Sequence, residues 1–266
     1  MRRFAAVLVG SVCAAVAFAV MAPGASAREP APGFDEFFGC PEPPAIIDHC
    51  VVSRLGPIEL ELGDLRMTID RPVLQNGGVP PGSPAPFVFN ERGGLFAPRV
   101  PLHVRRHGHL RGFTGELRLA GTVVAAVPLG SRIPVKIAVQ GPGLGKGCSI
   151  GSDDDPIVLD VTSGTTSPPP PNQPITGRPP GFGPHPTDPG KQVVTDGVMV
   201  DNAFAAPGAH GCVFHRRGRG HGRRSHPANF TINRIAGLPS APGTNTATIG
   251  MNAVIAMQPL VYPPSA

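Results

Sequence analysis

The largest concentration of fixed positive charge in this chain lies in residues 215–226, HRRGRGHGRRSH. Arg216, Arg217, Arg219, Arg223 and Arg224 are interleaved there with His215, His221 and His226. Guanidinium groups spaced this closely attract phosphates, anionic glycans or an acidic cell envelope through long-range electrostatics. No aromatic residue lies between them to stack on a base, and Gly218, Gly220 and Gly222 loosen the segment. Three readings stand: a solvated β-hairpin tip, a weak polyanion-binding element built on the five arginines, and a histidine metal trap.

The remaining polar clusters carry less. His103, His107 and His109 are spaced by four and two residues, which brings two imidazoles near each other without surrounding one ion, and Arg105, Arg106 and Arg111 oppose a cation. A basic edge strand or loop fits them, since such charges block edge-to-edge pairing. Asp153, Asp154 and Asp155 could contribute hard oxygens to calcium, but no EF-hand spacing surrounds them, and a charged turn before Pro156 accounts for them. Glu59 and Glu61 fall on the wet side of an alternating segment and form no acid/base pair. Asn229-Phe230-Thr231 fits the glycosylation tripeptide. The chain holds no phosphate loop or dinucleotide fingerprint. No catalytic, cofactor-binding or metal residue is therefore assigned, and no cofactor is expected.

Cysteine arithmetic depends on the first 27 residues. Arg2 and Arg3 precede an apolar run from residue 4 to residue 22, and Ala25-Ser26-Ala27 offers a small-residue cleavage site, the pattern of a secretory signal. An uncleaved anchor has a similar length, but the Pro23-Gly24 break favours cleavage. Val12 is too bulky for the position before a lipidated Cys13. Export removes Cys13 and leaves Cys40, Cys50, Cys148 and Cys212, an even set in an oxidising compartment. Pairing Cys40 with Cys50 and Cys148 with Cys212 is favoured over the two other connectivities. Metal binding by these cysteines is the weaker alternative, because no C-x-x-C spacing occurs.

These groups need a scaffold, and its composition is unusual. The 266 residues include 35 Gly and 35 Pro, no Trp and one Tyr. The formal charge of +5 becomes +3 without Arg2 and Arg3, so no general nucleic-acid or membrane footprint exists. Apolar β-branched runs recur between the breakers. Ile58, Leu60 and Leu62 alternate with Glu59, Glu61 and Gly63, and Leu65, Met67 and Ile69 continue across a Gly63-Asp64 turn. Further strands are expected at residues 87–89, 100–104, 117–127, 133–139, 157–161, 193–200, 230–235 and 246–257. Residues 76–86, NGGVPPGSPAP, are read as unable to form a central strand, because of their Gly and Pro content. The run 167–190 is read as a polyproline II rod at 168–171 followed by a structureless surface crossing.

The expected fold is all-β: an antiparallel sandwich or barrel-like body, disulfide-stapled, with long Pro/Gly-rich loops. The expected division is a signal peptide at 1–27, an N-terminal β-rich region at 28–140 and a C-terminal β-rich region at 141–266 that contains the 167–190 loop.

Several runs in the second half resemble a family of exported actinobacterial proteins of unknown function. They are CSIGS from Cys148, PIVLDVTSGTTSPPPPNQPITG at 156–177, VDNAFAAPGAHGC at 200–212 and GLPSAPGTNTA at 237–247. Cys40, Cys50 and Leu74-Gln75-Asn76-Gly77-Gly78 carry a looser similarity in the first half. The resemblance implies a secreted, all-β, disulfide-containing protein and supplies no catalytic residues. The tract at 215–226 looks like this chain's own elaboration of a variable loop. The functional expectation is noncovalent binding or a structural role at the cell envelope, with anionic envelope polymers or another extracellular protein as partner and no specific nucleic acid. A secreted hydrolase with a dispersed active site is the alternative, and no transmembrane anchor is expected after cleavage.

Overall fold

A computed structural model describes residues 28–71, 73–105, 112–126, 130–217 and 223–264. The leader at 1–27, His107, His109, Arg219 and His221 lie outside the described residues. After a single 3-10 turn at Asp35–Phe37, the chain builds β1 (His49–Leu62), β2 (Leu65–Ile69) and β3 (Val73–Val79). Six short segments follow: β4 (Ala85–Pro86), β5 (Gly94–Phe96), β6 (Val100–Pro101), β7 (His103–Val104), β8 (Thr114–Leu119) and β9 (Val124–Ala126). Next come β10 (Gly130–Gln140), β11 (Ser149–Ile150), β12 (Ile157–Thr162), β13 (Gly181–Pro184) and β14 (Lys191–Asp201). The chain continues through β15 (Ala209–His210), β16 (Val213–Arg217), β17 (Arg223–Pro227), α1 (Asn229–Ala236), β18 (Thr246–Met257) and α2 (Gln258–Val261).

The protein is all-β, and its strand pairs are antiparallel. β18 is the spine, flanked by β1 and β14. β1 is long enough to pair β3 along its first half and β2 along its second. β10 is shared in the same way, with β12 and β11 on one edge and β8 and β9 on the other. The path curls back through two thin junctions: the single pair Thr162–Val200 between β12 and β14, and the kinked 100–104 segment that touches both β8 and β2. The β3–β1–β18–β14 layer therefore faces the β8/β9–β10–β12 layer across one core, without the continuous ladder of a closed barrel.

Period-two alternation puts Ile58, Leu60 and Leu62 into that core, where each is about 1% exposed, while Glu59 and Glu61 face outward. Each such side chain contributes about 1.5–3 kcal/mol of burial. The inward parity of β1 changes at Gly56-Pro57, where two residues oppose Gly250 alone. A Cβ at position 250 would lie 2.5 Å from the Gly56 carbonyl, so only glycine fits. Pro57 sits where the bulge asks for no ladder donor. β14 has a matching bulge, with Thr195-Asp196 opposite Asn252 and Asp196 at φ 55. Met251 is thus bracketed by two bulges.

A second, smaller core covers the outer face of β1 and β18. Phe37, Cys40, Ile47, Cys50, Val52, Ala256, Val261 and Tyr262 pack there, closed by Tyr262 Oη donating to the Cys40 carbonyl at 3.1 Å. Lys191, 7% exposed, ties the N-terminal lead-in to β14 through Glu36 at 2.9 Å and Asp188 at 3.1 Å. Both disulfides join the favoured partners, Cys40 with Cys50 and Cys148 with Cys212, which removes all four sulfurs from metal binding.

Five expectations need correction, the first being the strand expected at 87–89, where only Val88 pairs, in an isolated bridge to Gly78. Residues 76–79 belong to β3 and pair with β1; the glycines serve close packing, since a Cβ at Gly78 would meet Ile47 at 2.7 Å. Residues 230–235 are helical. Ile232 and Ala236, four apart, point inward, Phe230 is 77% exposed, and Gly237 closes the helix in the left-handed region with its N–H on Asn233 O. The strand read at 117–127 is two strands, β8 and β9. The 167–190 run is also ordered. Its Pro170-Pro171 peptide is cis and lies in a turn instead of a continuous rod. Asn172 donates to the carbonyls of Asn202 and Asn245, Arg178 bridges to Val198, and β13 adds to β14. Side-chain amides and a partner strand, neither visible in composition, supply the order.

Candidate functional site

The arginine-rich tract forms a two-stranded ribbon, β16 paired with β17, in a sheet of its own. Its base is rigid. Cys212, immediately before β16, is bonded to Cys148, and its N–H donates to Asn229 Oδ1 at 2.8 Å. The Gly145 N–H donates to the Val213 carbonyl at 2.8 Å, and the His215 N–H donates to the Gly143 carbonyl at 2.7 Å. The register sets Arg216 opposite Arg224 and Arg217 opposite Arg223. Like charges directly across an antiparallel pair destabilise it by an amount on the order of 0.5 kcal/mol each. From Asn202 to the last residue the sequence contains six arginines and no carboxylate, so this stretch offers the ribbon no internal counter-ion.

The other predicted residues stay apart. His103 is exposed on β7. His215 Nδ1 meets Ser225 Oγ at 3.1 Å on the open ribbon, with no carboxylate orienting the imidazole among the described contacts. Asp153 pairs with Lys136 at 2.6 Å, and Ser152 with Asp155 closes the turn before Pro156. Glu61 receives Arg66 and Arg105. Among the described residues no three His, Cys, Asp or Glu side chains converge on a metal position.

Among the described residues Asp201 is the one buried carboxylate, 3% exposed beside a cavity of about 230 Å³. Burial pushes its pKa up, opposed by the N–H groups of Ala203 and Asp160, one on each oxygen at 2.9 and 2.8 Å. The neighbouring Asp160 is exposed and turned toward Arg132 at 3.7 Å. Asp201 therefore clamps β12 to the chain after β14; it is not half of an acid/base pair.

Between the two sheet layers lies a different feature, an apolar cavity of about 100 Å³. Val51, Leu55, Val194, Met199, Met251 and Ala253 wall it from the β1–β18–β14 layer, beneath the paired bulges. Phe87, Val123, Ala125 and Ile133 close it from the other layer, and Pro180 and Phe182 stand at its rim. Gln75 lines it from β3, 5% exposed, and its Nε2 has no hydrogen-bond partner. Sequence reasoning missed this residue. The available signal was a polar side chain two residues from Val73, hidden because residues 76–86 were read as unable to form a central strand.

No protein-family model matches the chain, and no curated protein and no solved structure is similar to it. Among the described residues no helix is long and apolar enough to cross a membrane.

Proposed function

We propose that the protein is exported, belongs with the secreted actinobacterial proteins that its second-half motifs resemble, and binds anionic polymers of a cell envelope without covalent chemistry. The observation that carries this reading is the basic ribbon: arginine opposite arginine, on a separate sheet held by the Cys148–Cys212 bridge. Two disulfides support an oxidising compartment, and the leader-like residues 1–27 support the route to it. Binding proceeds by counter-ion release: each arginine that settles on the polymer frees a condensed cation.

Labelled heparin serves as the probe, titrated against the mature protein at several salt concentrations. Five arginines give a slope of log affinity against log salt of about −4, taking 0.7–0.9 per contact. Replacing Arg216, Arg217, Arg219, Arg223 and Arg224 together by serine is expected to flatten that slope and lower affinity more than tenfold. Unchanged affinity and slope in this variant would refute the reading.

A further inference from the structure

We propose that the cavity between the two sheet layers is a binding site for an aliphatic chain that carries a neutral carbonyl group. This rests on the cavity and Gln75 and is independent of the ribbon.

The argument begins with Gln75 Nε2, a donor held 95% out of solvent without a partner. A buried N–H left unpaired is costly, so such groups are normally matched, and this one lines an open space. Its register neighbour on β1 is Ser53, which also faces the cavity, and Ser131 lines the far side. The remaining walls are almost wholly apolar. Among the described residues no Lys, Arg, His, Asp or Glu lines the space, so a charged ligand group would lose its hydration with nothing there to replace it. The acceptor is therefore neutral, and a carbonyl oxygen matches the geometry of an amide N–H.

Size narrows the class further. At about 100 Å³ the space is smaller than an engineered cavity of roughly 150 Å³ that admits benzene, and well below the roughly 300–1,000 Å³ of drug-sized sites. A short, slender aliphatic segment fits such a space better than a ring system. Phe182, 54% exposed on the edge strand β13, borders both the cavity and solvent, so a longer ligand can leave past it. The paired bulges on either side of Met251 explain the room, because they change the inward parity of β1 and splay β14 where regular strands would fill the core.

Binding is read by ligand-detected NMR with 2-heptanone, with n-heptane as the analogue that lacks the acceptor. Saturable 2-heptanone binding is expected, weakened about tenfold or more by Gln75→Leu, while n-heptane binding is retained or improved. Gln75→Met is the second variant should leucine perturb the fold, and unchanged thermal unfolding checks both. Ala253→Leu fills the space and is expected to abolish binding of both probes. Glycerol monooctanoate presents the same carbonyl on a lipid: tighter binding of this ester assigns the site to acyl lipids, and tighter binding of the ketone assigns it to free small molecules. Two results overturn the proposal: no saturable binding of any probe, which leaves Gln75 to a trapped water, or equal 2-heptanone affinity in wild type and Gln75→Leu.

Discussion

Replacing Cys148 and Cys212 together by alanine removes a link between residues 64 apart in sequence, whereas the Cys40–Cys50 pair spans only 10. In the loop-closure model the longer link restricts the unfolded chain by about 4 kcal/mol at 25 °C and the shorter one by about 3 kcal/mol. The sulfurs of both pairs are buried, at 2% exposure or less, so the small voids left by alanine add a similar amount to each and cancel in the comparison. Alanine is chosen over serine because two buried hydroxyls without partners would add a separate cost. Urea unfolding of the oxidised proteins measures the difference. With a denaturant dependence of about 2–3 kcal/mol per molar, the Cys148→Ala/Cys212→Ala midpoint falls by between about 1 and 2 M, and that of Cys40→Ala/Cys50→Ala by less. A larger loss from Cys40→Ala/Cys50→Ala would refute the reasoning, showing that native contacts in the Phe37–Tyr262 core, not unfolded-chain entropy, set the value of each bridge.

Two more outcomes follow from the buried polar network and the surface carboxylates. Asn245 is fully buried and makes four hydrogen bonds, accepting from Gly63 N and Ser240 Oγ and donating to the Phe204 and Ala241 carbonyls; Asn245→Ala is expected to destabilise by about 3 kcal/mol in thermal or urea unfolding. Glu116 has its pKa lowered by the hydrogen bond from Arg118, against a smaller opposing effect of burial. Its stabilising contribution is present above the ordinary glutamate pKa and disappears as pH falls through the lowered one. The stability difference between wild type and Glu116→Gln should therefore shrink on acidification below about pH 4; a difference that stays constant with pH would show that the ion pair with Arg118 and Arg99 is not its source.

Much of the strand content could be read directly. Ile133, Val135, Ile137 and Val139 on β10 and Ala247, Ile249 and Ala253 on β18 face inward as their alternation indicates. The hairpin at Gly63-Asp64 forms where the phase changes, with Leu62 opposite Leu65. Local periodicity suffices there because a half-buried strand imposes its own repeat of two. The helix at Asn229–Ala236 was hidden for the same reason: Phe230 and Ile232 mimic alternation, and only packing shows that Phe230 stays outside while Ile232 and Ala236 are buried. The ordered 167–190 crossing was hidden because its stability comes from Asn202, Asn245 and β14, all distant in sequence.

By itself the sequence determined most of the long sheet-forming segments, the favoured cysteine partners and the concentration of arginine at 215–226, since each depends on residue type and short spacing. The tertiary structure alone decided that β1, β18 and β14 lie side by side, that β3 continues through its glycines, and that Gln75 turns inward without a partner. Those outcomes depend on register between strands up to about two hundred residues apart and on two facing bulges whose positions are set by the strands they join. A strand's own pattern tells which residues share a face; which face is inward, and what space is left there, emerges only when the layers meet.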